Sequence, residues 1–472
     1  MMKEFLAEEF IIDSEIRESI EEGKEKVKDK EYVVGLIEKA KACKGLTHRE
    51  AAVLLNIEDK EILEEMFRAA RKVKETIYGN RIVLFAPLYV SDYCVNGCKY
   101  CGYKCTNKDF PRRKLTMDEI KQEVEYIEAL GHKRIVLEAG EDPVNCSLDY
   151  IIDCIKTIYS MKFKNGSIRR ININIAATTV EDYKRLKDAE IGTYTLFQET
   201  YNKETYEKLH PVGPKHNYNW HTTAMHRARA AGIDDVGIGV LYGLYDHQYD
   251  TVAMLMHAEH LEKATGVGPH TISMPRLRAA DGVDFKEFPH LITDEQFIKI
   301  VAVLRLAVPY TGMILSTREE ANFRDKVISV GISQISAGSC VGVGSYAESN
   351  ALKHSDEKPQ FEVADHRTPA EILKNLCKSG YVPSYCTACY RAGRTGDRFM
   401  EFAKSGTIHN FCLPNALLTF KEYLIDYADE ELLAVGAETI EKNLMDIPDE
   451  RVRKETIEKL ARIEKGERDL RF

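Results

Sequence analysis

Over roughly the first eighty residues, apolar positions recur at helical spacing among Glu, Lys and Ala, and Thr47 to Glu50 forms a capping box ahead of Ala51-Ala52-Val53-Leu54-Leu55. The pattern predicts an N-terminal helical segment over 1–80. After Gly79-Asn80 the period changes to short apolar or alternating runs separated by helical stretches, the mark of a parallel α/β domain. The predicted strands run from Arg81 to Tyr89, Arg134 to Ala139, Arg170 to Ala176, Thr193 to Gln198, Val236 to Tyr242, Thr271 to Arg276, Gly312 to Ser316 and Gln334 to Ala337. Between the first two, a second capping box at Thr116 to Glu119 opens a helix carrying Ile120, Val124 and Ile127 and stopping at Gly131. Along the third, Ile171, Ile173 and Ile175 alternate with Asn172 and Asn174, which face either a barrel interior or the outer surface of the sheet. Eight such units over 81–345 match the length of about 250 residues typical of a closed (β/α)8 TIM-type barrel, in which chemistry gathers in the loops after the strands. The remainder, 346–472, reads as a mainly helical C-terminal domain ending in charged helices between Leu417 and Arg468.

Composition narrows the function classes. With 472 residues, 44% hydrophobic and 30% charged, the chain has ample material for a core, and its formal net charge of −9 with interspersed signs offers no face for nucleic acid. Arg112-Arg113-Lys114 reads as a solvated loop. No run approaches the roughly 18 apolar residues of a membrane span, and the acidic N-terminus lacks a secretory pattern, so a cytoplasmic protein is expected. In that compartment twelve cysteines argue for thiols and metal ligation, not disulfides.

The first cysteines to cluster are Cys94, Cys98 and Cys101, spaced C-x3-C-x2-C directly after the first predicted strand. Three thiolates hold three irons of a 4Fe–4S cluster and leave the fourth open to an exogenous ligand; with Cys105 as a fourth ligand, the same residues make a zinc site. The motif resembles that of the radical S-adenosylmethionine (SAM) superfamily. That resemblance implies that the open iron takes SAM, whose reductive cleavage yields a 5′-deoxyadenosyl radical, and that Tyr100 packs near the adenine. Ala139-Gly140-Glu141-Asp142-Pro143 stands where the superfamily carries Gly-Gly-Glu, which implies Gly140 and Glu141 at the SAM amino group, with alanine in place of the first glycine. A second group, Cys386, Cys389 and Cys412, has the spacing C-x2-C-x22-C. With His409 it reads as a Cys3His zinc site, and without it as a second iron–sulfur cluster short of one cysteine.

Both cysteine groups, together with Ala86-Pro87-Leu88-Tyr89-Val90-Ser91, Glu138 to Pro143, Phe197-Gln198-Glu199-Thr200, Pro275-Arg276-Leu277-Arg278, Leu315-Ser316-Thr317-Arg318-Glu319 and Ile335-Ser336-Ala337-Gly338-Ser339, resemble the tyrosine lyases that mature FeFe-hydrogenase, the HydG family. The resemblance implies cleavage of L-tyrosine to p-cresol and dehydroglycine at the SAM end. It further implies conversion of dehydroglycine at the second cluster to CO and cyanide, collected on a labile extra iron. Arg318 is the expected carboxylate clamp, with Arg276 and Arg278 as rivals, while Glu199 and Arg276 join the expected SAM-binding residues. A histidine holds the labile iron in the family; His270 is favoured, with His257 and His260 as rivals. A reductant such as ferredoxin or flavodoxin and other hydrogenase maturases are the implied partners. Two other functions compete: a 2-iminoacetate (dehydroglycine) synthase for thiamine thiazole synthesis, whose C-terminal cysteines serve structure only, and a non-catalytic iron–sulfur scaffold.

Overall fold

The computed structural model describes residues 5–350 and 359–472, with side chains placed up to residue 347 before the gap. Eight strands, all parallel, close into a (β/α)8 barrel of the TIM type: β1 (Arg81–Ser91), β2 (Arg134–Ala139), β3 (Arg170–Asn174), β4 (Tyr194–Thr195), β5 (Val236–Gly239), β6 (Thr271–Ser273), β7 (Gly312–Leu315) and β8 (Gln334–Ser336). The ring shuts because β1 pairs with β8 through Val83–Phe85 and with β2 through 86–91.

Every predicted strand is present, and most are shorter at their C-terminal ends than the alternation suggests. The missing residues have left the ladder to become the loops of the upper mouth, where isolated bridges such as Glu199↔Val240 and Tyr242↔Arg276 keep them in register. Strand β1 departs the other way and runs two residues past Tyr89. Ile171 and Ile173 are fully buried, while Asn172 and Asn174 face the barrel interior.

A ninth strand, β9 (Val382–Ser384), was not predicted. It lies parallel to the first three residues of β1, at the lower mouth. Its central Pro383 has no N–H to give a ladder, which suits an edge strand. Through β9 the C-terminal residues are tied to the barrel. The helix His409–Tyr427 packs beside it, and buried ion pairs fasten it there: Arg169 to Glu422 and Lys133 to Glu128, the latter shared with the Tyr427 hydroxyl. Gly131, where the helix Met117–Ala129 ends, has φ +89°, and a Cβ there would stand 2.2 Å from the Tyr423 ring. Only glycine lets barrel and C-terminal helix approach this closely.

The N-terminal segment forms four helices, Asp13–Lys26, Lys30–Lys41, His48–Leu55 and Lys60–Tyr78, and both predicted capping boxes form. Among the described residues, no helix is long and apolar enough to cross a membrane.

Candidate functional site: two mouths of one barrel

The upper mouth holds the larger cavity, about 240 Å³, and Cys94, Cys98 and Cys101 all line it. Their loop leaves β1 and is held down by its neighbours. Gly140 donates its N–H to the Ser91 carbonyl at 3.0 Å, and Val95 donates to the Glu141 carbonyl at 2.8 Å. A Cβ on Gly140 would sit 2.4 Å from the Tyr93 oxygen and 3.1 Å from the Cys94 Cβ. Close backbone approach therefore requires glycine at 140, whereas Ala139 sits without difficulty in the last position of β2. Glu141 accepts a 2.6 Å hydrogen bond from Asn96, and burial pushes its carboxyl pKa up. The same burial raises the thiols, Cys101 to about 11, so metal loading here must expel protons. Cys105 does not line this cavity.

Tyr100 is buried beside the thiols, its hydroxyl 2.7 Å from Nε2 of His210. Glu199 lines the cavity in the left-handed backbone region, φ +72°, a strained conformation for a non-glycine residue. Its carboxylate is fixed by Lys215 at 2.7 Å. Lys215 was not foreseen: it stands in the single 3-10 turn Pro214–His216, and Asn96 Oδ1 accepts its backbone N–H at 3.0 Å, which ties that turn to the site.

The three arginines after strands β6 and β7 separate by partner. Arg276 is committed to Glu319 and, at 2.8 Å, to Asp294; Arg278 pairs with Glu319 at 2.8 Å. Arg276 is absent from the cavity lining, which argues against its expected SAM contact and gives it the role of fixing Glu319. Arg318 lines the cavity, stacks on Phe361 with its guanidinium carbon 3.3 Å from the ring centroid, and makes no ion pair among the described residues. Burial lowers its pKa. A desolvated guanidinium facing a cavity is a ready site for a carboxylate.

At the lower mouth Cys386, Cys389 and Cys412 line a smaller cavity of about 60 Å³ with His270, Asp235, Arg81 and Arg134. Cys386 follows β9, Cys389 lies in the short helix Ala388–Arg391, and Cys412 lies in the first turn of His409–Tyr427. His270 Nδ1 stands 3.4 Å from Asp235 Oδ1 and its ring packs edge-on against Phe399. Burial lowers its pKa, which favours the neutral imidazole that metals bind. His257 bonds to the Tyr201 hydroxyl at 2.8 Å, and His260 meets His226 at 3.0 Å in an aromatic cluster with Phe5 and Phe10. Neither lines this cavity, so His270 alone of the three stands with the cysteines.

The fourth ligands of the two zinc readings, Cys105 and His409, do not stand with the cysteine triads. His409 is hydrogen-bonded to the Thr76 carbonyl and is absent from the cavity lining. Gln334 is common to the lining of both cavities.

Comparison with known proteins agrees with this layout. The radical SAM superfamily matches residues 88–258, and the Biotin and Thiamin Synthesis associated domain matches 273–382, ending before Cys386. The 2-iminoacetate synthase of Salmonella typhimurium is 30% identical over 350 residues, 74% of this chain and 89% of its own; that of Escherichia coli is 28% identical over 365 residues, 77% and 93%. Among solved structures, HydG, a maturase of the [FeFe]-hydrogenase, is 64% identical with a TM-score of 0.94, covering 98% of this chain and all of that one. HydG from Carboxydothermus hydrogenoformans is 39% identical with a TM-score of 0.81, covering 97% and 100%. A radical SAM domain implies an iron–sulfur cluster and SAM. By fold, coverage and identity, the chain belongs to the HydG family of the radical SAM superfamily.

Proposed function

We propose that the chain is a tyrosine lyase acting in FeFe-hydrogenase maturation, cleaving L-tyrosine to p-cresol and dehydroglycine at the upper mouth and converting dehydroglycine to CO and cyanide at the lower. The observation that carries this reading is the placement of two cysteine triads at opposite ends of one closed barrel, with a cavity at each. Cys94, Cys98 and Cys101 would hold a 4Fe–4S cluster; Gly140, Glu141, Tyr100 and Glu199 would hold SAM. When bound, that pair supplies a one-electron reduction and a carbon radical able to take a hydrogen atom.

The chain's own part is positioning and exclusion. Arg318 receives the tyrosine carboxylate, because it is the arginine of the upper mouth left without an ion-pair partner. Glu319, by pairing with Arg276 and Arg278, keeps them away from that task. The barrel wall stands around both cavities and limits the directions from which water can reach a hydrolysable imine. At the lower mouth Cys386, Cys389 and Cys412 would hold the second cluster and His270 its labile iron, with the imidazole oriented by Asp235.

The thiamine-type synthase remains the competing reading, supported by the 2-iminoacetate synthases of similar sequence. The C-terminal triad weighs against it, since it lies beyond the domain shared with biotin and thiamin synthesis. Anaerobic turnover with tyrosine, SAM and reductant, assayed together for p-cresol, cyanide and CO, decides between them. Production of p-cresol without CO or cyanide sinks the maturase reading, and absence of SAM cleavage sinks both in favour of a cluster scaffold.

A further inference from the structure

Four carboxylates line the upper cavity, and three of them are already engaged. Asn96 binds Glu141, Lys215 binds Glu199, and Arg276 with Arg278 binds Glu319. The fourth, Glu138, is the next-to-last residue of β2, paired in register with Tyr89 of β1 and Asn174 of β3. It accepts one hydrogen bond on Oε2, from Asn174 Nδ2 at 2.9 Å. Among the described residues no cation is in ion-pair contact with it, and Oε1 has no partner. Arg318 acts on it electrostatically from the end of β7 without touching it. The cavity thus presents a guanidinium and a carboxyl group, each without a charged partner in contact, across one space. That is the complement of an α-amino acid head group, whose carboxylate and ammonium carry the opposite signs.

Resting on the tyrosine-lyase reading, we propose that Glu138 takes the proton from the substrate's α-ammonium group once Arg318 has fixed the carboxylate. One N–H bond of the ammonium breaks heterolytically, its electron pair stays on nitrogen, and the proton forms the O–H bond of Glu138. No electron is gained or lost in this step. The chemistry that follows needs it, because removing a hydrogen atom from a neutral amine leaves a neutral radical, whereas removing one from an ammonium leaves a far less stable cation radical.

The surroundings of Glu138 suit a proton acceptor. Its side chain is half-buried and lines the cavity, and burial raises its pKa to about 8 despite the nearby Arg318. An ordinary Glu near about 4.3 is far too weak a base for an α-ammonium, while a Glu whose pKa is raised toward that of the ammonium exchanges the proton at a much smaller free-energy cost. Asn174 keeps the carboxyl aimed into the barrel in either protonation state.

The test uses the reconstituted holoenzyme and Glu138→Gln, which keeps the shape and the acceptor for Asn174 but cannot take the proton. At pH 7.5 p-cresol formation should fall by roughly 100-fold or more, the usual size of a general-base contribution. Tyrosine binding by anaerobic equilibrium dialysis should change by less than about threefold, and SAM cleavage should persist, reporting a folded protein. Wild-type kcat/KM should rise as Glu138 ionises through about 8, and the variant should lose that limb and recover only at more alkaline pH, where tyrosine's own amine is free. Should Glu138→Gln not fold, Glu138→Asp carries the test, with the pH limb retained at reduced rate. Unchanged p-cresol formation in Glu138→Gln, or a loss of tyrosine binding as large as the loss of rate, overturns the assignment. A wild-type protein that cleaves SAM but makes no p-cresol overturns the lyase reading itself.

Discussion

The two mouths of the barrel are built from the same strands and differ in what closes them. The upper is framed by loops that follow most of the strands, so its walls come from every quarter of the ring and leave a space of about 240 Å³. The lower is plugged by β9 and the helix behind it, and only about 60 Å³ remains. The space at the upper end is thus about four times that at the lower. Each end also holds buried arginines that make no ion pair among the described residues: Arg318 above, Arg81 and Arg134 below. Below, the Arg134 guanidinium is spent partly on the Cys386 carbonyl, at 2.7 Å, so there the cation braces the cysteine loop.

The sharpest way to break this comparison is to silence one mouth and watch the other. Replacing Cys94, Cys98 and Cys101 together with Ala should reduce 5′-deoxyadenosine and p-cresol to background, measured by chromatography after anaerobic reconstitution. Persistent SAM cleavage by that variant removes the upper mouth from the mechanism. Cys386→Ser should do the reverse: CO capture falls by roughly 10-fold or more, while p-cresol stays within about threefold of wild type. A structural role predicts instead that thermal stability and both products decline together.

Arg318→Lys asks whether the upper cavity reads a carboxylate. Lysine keeps the charge and loses the planar fork, and charge-assisted hydrogen bonds of about 1.5–3 kcal/mol are at stake, so the KM for tyrosine should rise by roughly 10- to 100-fold. SAM binding should not change. An unaltered KM returns the carboxylate to Arg278, the other arginine in the lining.

His270→Ala probes the lower mouth alone. Iron content should fall by about one atom per chain, the EPR signal of a conventional four-iron cluster should remain at the C-terminal site, and p-cresol formation should be unaffected. Retention of a five-iron signal shifts the ligand elsewhere. The smallest effect is expected where neither mouth is touched. Gly131→Ala drives a methyl group into Tyr423 and should cost about 2 kcal/mol of stability, read as a lower Tm, with the ratio of CO to p-cresol unchanged. A changed ratio means that the seat of the C-terminal helix tunes the lower site.

How much of this could be read from the chain depends on how local each feature is. The capping boxes at Thr47 and Thr116 and the spacing of both cysteine triads are local, and they were legible. Strand β9 was not, because three residues with a central proline carry no period; its existence depends on a partner at the opposite end of the chain. His270 was favoured over His257 and His260 from its place at the start of the sixth predicted strand, and the fold puts it alone of the three in the lining with the cysteines. Arg318 was likewise favoured from its place at the end of the seventh strand, but the SAM contact expected of Arg276 was not separable by motif, since what distinguishes the two is that Glu319 pairs with Arg276. Lys215 gave no signal beyond a short turn, and Glu138 stood only as the first residue of the motif running to Pro143; each acquires a role only from what the folded barrel sets opposite it.

Strand β1 carries a consequence for how the molecule is made. Its N-terminal residues hold β9 and its C-terminal end delivers Cys94, so a single rod of 11 residues, roughly 35 Å long, runs from one cysteine triad toward the other. During synthesis the ligands of the upper site leave the ribosome early, whereas the lower site has no floor until the final quarter of the chain has returned to dock against the first strand. The two cysteine triads are therefore completed in an order set by topology: Cys94, Cys98 and Cys101 are made while Cys386, Cys389 and Cys412 are still to come, and the lower cavity is formed only when β9 has paired with β1.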